Sequence, residues 1–233
     1  DLVIVISEAT RRDAVEYLGL APERVRAIYP GVDPVFRPVA DRDALRQALE
    51  PLGLEPGGYI LHVGTIEPRK NLLRLLEAYH QLRQDPPAVP RLVFAGGQGW
   101  GVRPVFERVA SLGLVESVVF LGHVPDRLLP ALYTGAAVFV YPSLYEGFGL
   151  PPLEAMACGT PVVVSDTSSL PEVVGDAGVL VDPGDVAALA DALASLLVDP
   201  ARRAALSAAG RRRAATFTWE RAARQTLAAY GGE

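Results

Sequence analysis

Residues 136–154 read AAVFVYPSLYEGFGLPPLE and contain the features that decide the expected fold. The apolar run Ala136–Tyr141 is typical of a strand that is buried on both faces. The glycines and prolines that follow predict a loop and then a helix, with Pro152 in the first turn and Glu154 just inside it. A buried strand followed by such a loop is typical of an open α/β sheet, in which ligands bind beyond the carboxyl ends of the strands.

The same pattern recurs along the chain, since apolar runs alternate with helical segments. In Asn71–Gln84, for example, four leucines and a tyrosine fall on one helical face. The predicted strands are Tyr59–Val63, Leu92–Ala95, Val118–Leu121, Ala136–Tyr141, Pro161–Val164 and Gly178–Val181. This alternation predicts an α/β fold, specifically a Rossmann-like, doubly wound parallel sheet of about six strands.

The composition excludes several classes of protein. Of the 233 residues, 50% are hydrophobic and 21% are charged, which is typical of a folded globular protein and excludes a disordered chain. The net charge of −5 argues against a nucleic acid partner. The single cysteine, Cys158, cannot form an internal disulfide bond. A reducing compartment is therefore expected, and the cytoplasm is the predicted location.

The beginning of the chain predicts a boundary between domains. The strand candidate Asp1–Ser7 and the helix candidate Glu8–Leu18 cannot bury their apolar faces by themselves. We therefore expect residues 1–28 to be the end of another domain and residues 29–40 to be a linker rich in proline and glycine. Residues 41–215 are expected to form a Rossmann-like domain whose first helix is capped by Asp41, and residues 216–233 a final helix that crosses back to the other domain.

The segment Gly64–Asn71, which reads GTIEPRKN, follows the first predicted strand of the sheet. A phosphate group there would meet the cations Arg69 and Lys70 and the free N–H groups of the next helix, which Asn71 is expected to cap. A solvated basic pair is the alternative interpretation. The position at the ligand edge of the sheet favours phosphate binding.

Glu146 and Glu154 frame the loop that follows the strand Ala136–Tyr141. Gly147 and Gly149 would let the backbone approach a ligand closely and offer N–H groups to it. The two carboxylates could accept hydrogen bonds from vicinal hydroxyls, such as those of a sugar or a ribose. Glu154 could instead stabilise the helix dipole without any ligand, whereas no helix requires Glu146. A functional role is favoured for both.

No metal site is predicted from the three histidines, because His62, His80 and His123 share no spacing of metal ligands. His62 lies in a predicted strand and His80 in a predicted helix, so both are expected to pack in the protein. His123 lies at the ligand edge, where a contact with ligand and a position without contact are equally compatible with the sequence.

Taken together, these segments resemble family 4 of the retaining glycosyltransferases, which have the GT-B fold. The stretch from Glu146 to Glu154 resembles the Glu-x7-Glu motif of that family, and GTIEPRKN resembles its phosphate-binding segment. Gly122-His-Val124 resembles the base-binding loop, and Pro30-Gly-Val-Asp33 resembles the passage out of the N-terminal domain. The whole chain resembles the C-terminal, donor-binding half of such an enzyme, so residues 1–28 would be the end of the acceptor domain.

The resemblance also implies roles for individual residues. Arg69 and Lys70 would neutralise the donor diphosphate without an obligatory metal, and Glu146 would hold sugar hydroxyls; these three are the expected catalytic residues. Glu154 would bind the ribose hydroxyls. The other expected donor-binding residues are Gly64, Thr65, Gly97, His123, Val124, Gly147, Phe148, Gly149 and Leu150. Many relatives carry arginine where this chain has Thr65, which places more of the phosphate binding on Arg69 and Lys70.

The GTIEPRKN variant resembles a subgroup with bacterial mannosyltransferases and other polysaccharide glycosyltransferases. GDP-mannose is therefore favoured as donor over UDP-sugars and other GDP-sugars. A saccharide or lipid-linked acceptor would bind to the N-terminal half, which would also make any peripheral contact with the inner membrane. By itself, this chain is expected to bind nucleotide without transferring sugar, and its exposed interdomain surface could pair with another copy.

Two other functions stay open at this point: a non-catalytic module that binds nucleotide sugars, and a GT-B sugar-nucleotide epimerase. A phosphorylase would need a lysine that carries a cofactor. Lys70 is the only lysine in the chain and is already assigned to phosphate binding.

Overall fold

A computed structural model describes residues 1–84 and 89–231. The strands are β1 (Val3–Val5), β2 (Val25–Ala27), β3 (Tyr59–Val63), β4 (Arg91–Ala95), β5 (Val118–Gly122), β6 (Val138–Tyr141), β7 (Val162–Ser165) and β8 (Val179–Val181). The helices are α1 (Glu8–Leu18), α2 (Arg42–Leu49), α3 (Leu72–Leu82), α4 (Arg103–Ser111), α5 (Leu129–Gly135), α6 (Leu150–Ala157), α7 (Leu170–Val174), α8 (Val186–Val198), α9 (Pro200–Ala214) and α10 (Trp219–Gly231).

Strands β3 to β8 form one sheet of six parallel strands in the order β5-β4-β3-β6-β7-β8. The predicted strands and the α/β fold class are confirmed. The chain runs from β3 outward to β5 and then returns to place β6 beside β3, with Ile60 opposite Val138 and Leu61 opposite Phe139. The topological switch point therefore lies at the carboxyl ends of β3 and β6, where the loops that follow the two strands diverge and leave a crevice for ligands.

Both faces of the sheet are buried, as expected for a doubly wound fold. Along β6, Phe139 faces one apolar layer and Val140 the other. The first layer includes residues of α2, α5, α6 and α7, and the second includes residues of α3, α4 and α8. Because both faces are covered, the strands can be apolar at successive positions, which is the pattern that predicted them.

Helix α2 begins as predicted, since the Asp41 carboxylate accepts hydrogen bonds from the N–H groups of Asp43, at 2.9 Å, and Ala44, at 3.2 Å. The prediction of one strand and one helix in residues 1–28 was incomplete. Val25–Ala27 form the additional strand β2, which pairs in parallel with β1. A strand of three residues with an exposed Arg26 at its centre is too short to show a clear hydrophobic pattern.

Glu172 in α7 joins the first segment to the six-stranded domain. Its carboxylate accepts hydrogen bonds from the N–H groups of Glu8 and Ala9, each at 2.9 Å, and from the Tyr29 hydroxyl at 2.7 Å. The N–H groups at the start of a helix carry partial positive charge, so a carboxylate is a favourable partner for α1.

We expect Glu172→Gln to lower the free energy of unfolding by about 1–2 kcal/mol, because the amide retains little of the carboxylate's attraction for the start of α1. Urea unfolding of the variant and of Glu116→Gln, at an exposed position, gives the comparison. Equal stability of the two variants would contradict the role assigned to Glu172.

Helix α10 has little contact with the domain, since only Ala222 of its residues is buried. Leu227 and Tyr230 are among its exposed side chains. A helix at this position agrees with the prediction, whereas the bounds of the four segments remain predictions. In the two described ranges, no helix combines the length and the apolar character that a membrane span requires.

Candidate functional site

The cations and the first carboxylate of the expected site lie on the two loops that border the switch point. Arg69 and Lys70 belong to a single 3-10 turn, Pro68–Lys70, between β3 and α3. Glu146 follows β6 in the loop that leads to α6. Because β3 and β6 are neighbours in the sheet, two segments about 75 residues apart in sequence meet at one edge.

Glu146 lies between the two cations. Its Oε1 atom is 2.7 Å from Nζ of Lys70, and its Oε2 atom is 2.7 Å from Nη1 of Arg69. The side chains of Lys70 and Glu146 are 7% and 10% exposed, whereas that of Arg69 is 40% exposed. The structure thus brings the three expected catalytic residues into direct contact, with the guanidinium group towards solvent.

Tyr141, the last residue of β6, is a further partner of Lys70. Its hydroxyl accepts a hydrogen bond from Nζ at 2.5 Å, and Nζ also lies 4.7 Å from the centre of its ring. The His62 ring stacks on Tyr141 at 5.3 Å between ring centres, and Nδ1 of His62 donates to the Val140 carbonyl oxygen at 3.1 Å. His62 is fully buried and burial lowers its pKa to about 4, so the ring is neutral at pH 7. The expected packing role of His62 is confirmed.

The charges of this cluster balance one another. Arg69 also donates to the Glu67 carboxylate at 2.6 Å, so two cations face two carboxylates. Burial raises the pKa of Glu146, but hydrogen bonds and charge from Lys70 together with a hydrogen bond from Arg69 outweigh burial and lower it overall. Burial lowers the pKa of Lys70, and the partnership with Glu146 opposes that shift. An anionic ligand would therefore compete with Glu146 for the cations.

Glu154 lies in the second turn of α6 rather than in the first, because the helix already begins at Leu150. The helix dipole acts mainly within the first turn, so it does not account for this carboxylate. The Oε2 atom accepts a hydrogen bond from the Tyr133 hydroxyl at 2.8 Å. Burial, together with the negative charges of Asp126 and Asp33, raises the pKa of Glu154 despite that hydrogen bond.

The loop between the two glutamates is held by its buried residues. The Phe148 side chain is buried against Tyr29 and Phe217, with ring centres at 5.9 Å and 5.8 Å. Only the backbone of Phe148 is therefore available to a ligand. Gly149 has a φ of +114°, and a Cβ atom there would lie 2.8 Å from Cδ2 of Leu170.

Gly149→Ala should lower the free energy of unfolding by about 2–4 kcal/mol, because it combines backbone strain with a collision in the core. Gly113→Ala is the matched control, since Gly113 also has a positive φ, +68°, but has no atom within 4 Å of an added Cβ. Chemical unfolding of both variants separates the two effects. A smaller loss for Gly149→Ala than for Gly113→Ala would contradict the close approach to Leu170.

Three other expected donor-binding residues lie after β3 and β4. A Cβ atom at Gly64 would lie 3.5 Å from Cε of Lys70, so this glycine borders the cation. Thr65 and Gly97 are exposed, and the Gly97 carbonyl oxygen accepts a hydrogen bond from the Ile66 N–H group at 2.9 Å. Thr65 and Gly97 thus line the same edge of the sheet as Lys70.

The remaining donor-binding candidates have different surroundings. His123 is exposed, whereas the side chain of Val124 is buried in the core, so only its backbone could meet a base. Leu150 is 39% exposed at the start of α6. Within residues 1–84 and 89–231, no hydrogen bond or ion pair joins His123, Val124 or Glu154 to the cluster of Arg69, Lys70 and Glu146. No cluster of potential metal ligands occurs in those ranges either.

The prediction that the Asn71 side chain caps α3 was wrong. Asn71 precedes the helix with a φ of 60°, and its side chain makes no capping hydrogen bond because this left-handed conformation directs it elsewhere. Its Nδ2 atom donates instead to the carbonyl oxygens of Pro142, at 3.0 Å, and Pro183, at 2.8 Å. Asn71 thereby ties the loops after β6 and β8 to the start of α3.

Several partners of the predicted residues were not predicted from the sequence. Tyr141 and Glu67 contact the cations, Tyr133 contacts Glu154, and Ser168 and Ser169 contact the backbone of the Glu146 loop. Ser168 and Ser169 follow β7 at the ligand edge, so their position was a usable signal. The individual contacts follow from the packing of side chains and leave no sequence pattern.

The sequence of the chain is similar to those of known proteins. Residues 48–213 match the family model described as "Glycosyl transferases group 1". O-antigen chain mannosyltransferase B from Escherichia coli is 38% identical over 229 residues, which are 98% of this chain and 60% of that protein. D-inositol 3-phosphate glycosyltransferase from Salinispora arenicola is 39% identical over an alignment of 244 positions, which covers 99% of this chain and 54% of that protein. The chain thus spans less than two thirds of these relatives.

Solved structures show the same fold. Sucrose-phosphate synthase from Thermosynechococcus elongatus has a TM-score of 0.86 and 32% identity, covering 100% of this chain and 58% of that one. HepE from Anabaena, solved in complex with UDP, has a TM-score of 0.88 and 25% identity, covering 100% of this chain and 64% of that one. The chain therefore belongs to the group 1 glycosyl transferases and has the fold of the C-terminal domain of a GT-B enzyme.

Proposed function

We propose that this chain binds the nucleoside diphosphate sugar donor of a retaining glycosyltransferase, which passes a hexosyl group to a saccharide or lipid-linked acceptor. The observation that supports this most is the contact of Arg69, Lys70 and Glu146 at the switch point of the sheet. Two cations suit a diphosphate group, and a carboxylate beside them suits the hydroxyls of the adjoining sugar. Retention at the anomeric carbon rests on the family resemblance.

The cations would act on the leaving group. When the bond between the anomeric carbon and the diphosphate oxygen breaks, negative charge grows on the departing nucleoside diphosphate. Arg69 and Lys70 would stabilise that charge from positions fixed before the reaction, and this proposal requires no metal ion. Lys70 is the more buried of the two, with its side chain 7% exposed against 40% for Arg69, and Tyr141 and Glu146 both accept hydrogen bonds from its ammonium group.

The carboxylates would hold the two sugars of the donor. Glu146 would exchange part of its contact with the cations for hydrogen bonds from hydroxyls of the transferred sugar. Glu154 would accept hydrogen bonds from the ribose hydroxyls, and its Oε1 atom accepts none from any residue that the structure describes. The exposed His123 and the Val124 backbone would lie near the base.

GDP-mannose is the donor that we favour. The Escherichia coli relative is named a mannosyltransferase and is 38% identical over almost the whole chain. UDP-sugars are the alternative, because the structurally similar HepE was solved with UDP. We further propose a cytoplasmic enzyme of polysaccharide synthesis, with the acceptor bound outside the segment described.

A thermal-shift titration with UDP, GDP and ADP tests the donor site. A ligand at 100 times its dissociation constant adds about 2.7 kcal/mol of stability, which raises the melting temperature of a chain this size by roughly 5–10 °C. We expect such a rise with one base and none in the double variant Arg69→Ala/Lys70→Ala. The control Arg211→Ala/Arg212→Ala removes two exposed cations of α9 and should keep the rise. An equal rise in wild type and Arg69→Ala/Lys70→Ala would contradict the site.

Binding should also depend on pH through Glu154. Because the folded protein raises the pKa of this group above 4.5, Glu154 is partly protonated just above that pH and becomes a full carboxylate as the pH increases. A carboxylate accepts hydrogen bonds more strongly than an acid or an amide, so nucleotide affinity should rise about fivefold on ionisation. Titration calorimetry at each pH gives the affinity of wild type and of Glu154→Gln for the same nucleotide. The ratio of the two affinities is free of the effect of the ligand's own ionisation. Parallel pH profiles would contradict the ribose contact.

A further inference from the structure

The loop after β7 makes several hydrogen bonds to the backbone of the Glu146 loop. The Ser169 hydroxyl oxygen lies 2.8 Å from the Glu146 carbonyl oxygen and 2.6 Å from the Phe148 carbonyl oxygen, so its single proton is shared between two acceptors. The Ser168 hydroxyl accepts a hydrogen bond from the Glu146 N–H group at 3.0 Å. Ser169 is fully buried. The two serines therefore contact three backbone groups of one short stretch.

These contacts determine where other backbone groups point. In a trans peptide, the carbonyl group of one residue and the N–H group of the next are directed in opposite directions. Because the carbonyl groups of Glu146 and Phe148 point towards Ser169, the N–H groups of Gly147 and Gly149 must point away from it. In the part of the chain that the structure describes, neither of these N–H groups donates a hydrogen bond.

The peptide that precedes Glu146 shows which face of the loop lies opposite the serines. Its N–H group points towards Ser168, and its carbonyl group, which belongs to Tyr145, accepts a hydrogen bond from Nη1 of Arg69 at 2.7 Å. The side away from Ser168 is therefore the side of the Arg69 guanidinium group. The free N–H groups of Gly147 and Gly149 are directed away from the same pair of serines.

Ser168 itself adopts a conformation that is uncommon for a residue with a side chain, with a φ of 54°. Such a backbone conformation carries a cost, and it tends to persist where the surrounding structure fixes it at a functional site. Here it places the Ser168 hydroxyl next to the Glu146 N–H group while the following residue, Ser169, reaches the carbonyl groups.

We propose that Ser169, assisted by Ser168, is a positioning residue that directs the N–H groups of Gly147 and Gly149 at hydroxyl oxygens of the donor sugar. This inference rests on the proposed function. The serines do not contact the ligand; they fix the loop that does. The nucleoside diphosphate itself is bound by other groups, namely Arg69, Lys70 and Glu154.

Titration calorimetry of this chain with GDP, UDP, GDP-mannose and UDP-glucose tests the proposal. For Ser169→Ala, affinity for the preferred nucleotide sugar should fall about tenfold, the effect of losing one or two hydrogen bonds, while affinity for the matching nucleoside diphosphate changes less than about threefold. Ser168→Ala, at a half-buried position, should show the same selective loss and keeps the test possible if Ser169→Ala does not fold. Ser117→Ala, at a buried serine before β5, should change neither affinity.

Several results would overturn the proposal. Unchanged nucleotide-sugar affinity in a folded serine variant overturns it, and so does an equal loss of nucleotide and nucleotide sugar. Both results leave the proposed function standing, because the wild-type chain still binds nucleotide. A wild-type chain that binds none of the four ligands instead overturns the proposed function, and this inference with it.

Discussion

Substitution of Lys70 by methionine should lower the free energy of unfolding by about 3 kcal/mol and abolish the binding of nucleoside diphosphates. Methionine preserves the apolar stem of the side chain but removes the charge, so the buried Glu146 loses the partner of its Oε1 atom. The half-exposed Arg69 would be the remaining cation beside this carboxylate. An incompletely compensated buried charge is a large cost because water cannot replace the lost partner.

The double variant Lys70→Met/Glu146→Gln separates stability from binding. Removing both charges should restore most of the lost stability, since a neutral pair of similar volume has no buried charge to compensate. Nucleotide binding should stay absent, because the cation is still missing. Urea unfolding and calorimetry of both variants provide the comparison. A double variant that is less stable than Lys70→Met would contradict the buried ion pair.

Glu146→Gln should have the opposite effect on nucleotide affinity. The glutamine no longer competes with the diphosphate for Lys70 and Arg69, so GDP or UDP should bind about tenfold more tightly. The variant should at the same time lose any preference for the nucleotide sugar, because the sugar hydroxyls meet an amide in place of a carboxylate. Transfer of sugar by the complete enzyme should fall accordingly.

Calorimetry with the nucleotide and with the nucleotide sugar measures both effects in one protein. Glu107→Gln is the matched control, since Glu107 pairs with Arg103 on an exposed face of α4 and should leave both affinities unchanged. Weaker binding of nucleoside diphosphate by Glu146→Gln would show that Glu146 orients the cations rather than competing for them.

The architecture could be predicted from sequence because the strands that build it are buried on both faces. A continuous apolar run such as Tyr59–Val63 indicates a buried strand whichever strands lie beside it in the sheet. The short strand Val25–Ala27 has no such run, and only its pairing with β1 reveals it. The hydrophobic pattern therefore predicted the strands of the main sheet, whereas β2 was found from its pairing in the structure.

The candidate site divides in the same way. Arg69, Lys70 and Glu146 could be assigned to one edge because each follows a strand, and the parallel sheet brings those strand ends together. Their direct contact was not predictable, since it depends on β3 and β6 being neighbours. Asn71 shows the limit of local rules: its residue type favours a helix cap, but its left-handed backbone turns the side chain towards Pro142 and Pro183.

The proposed binding of the diphosphate by Lys70 can be tested directly, because Lys70 is the single lysine of the chain. Protein labelled with ¹⁵N at lysine Nζ should give one side-chain ammonium signal, that of Lys70. Addition of GDP or UDP should shift this signal progressively until it saturates. A saturating shift of the Lys70 signal is expected if the ammonium group binds the diphosphate. Nucleotide binding that leaves the Lys70 signal unmoved would contradict that proposal.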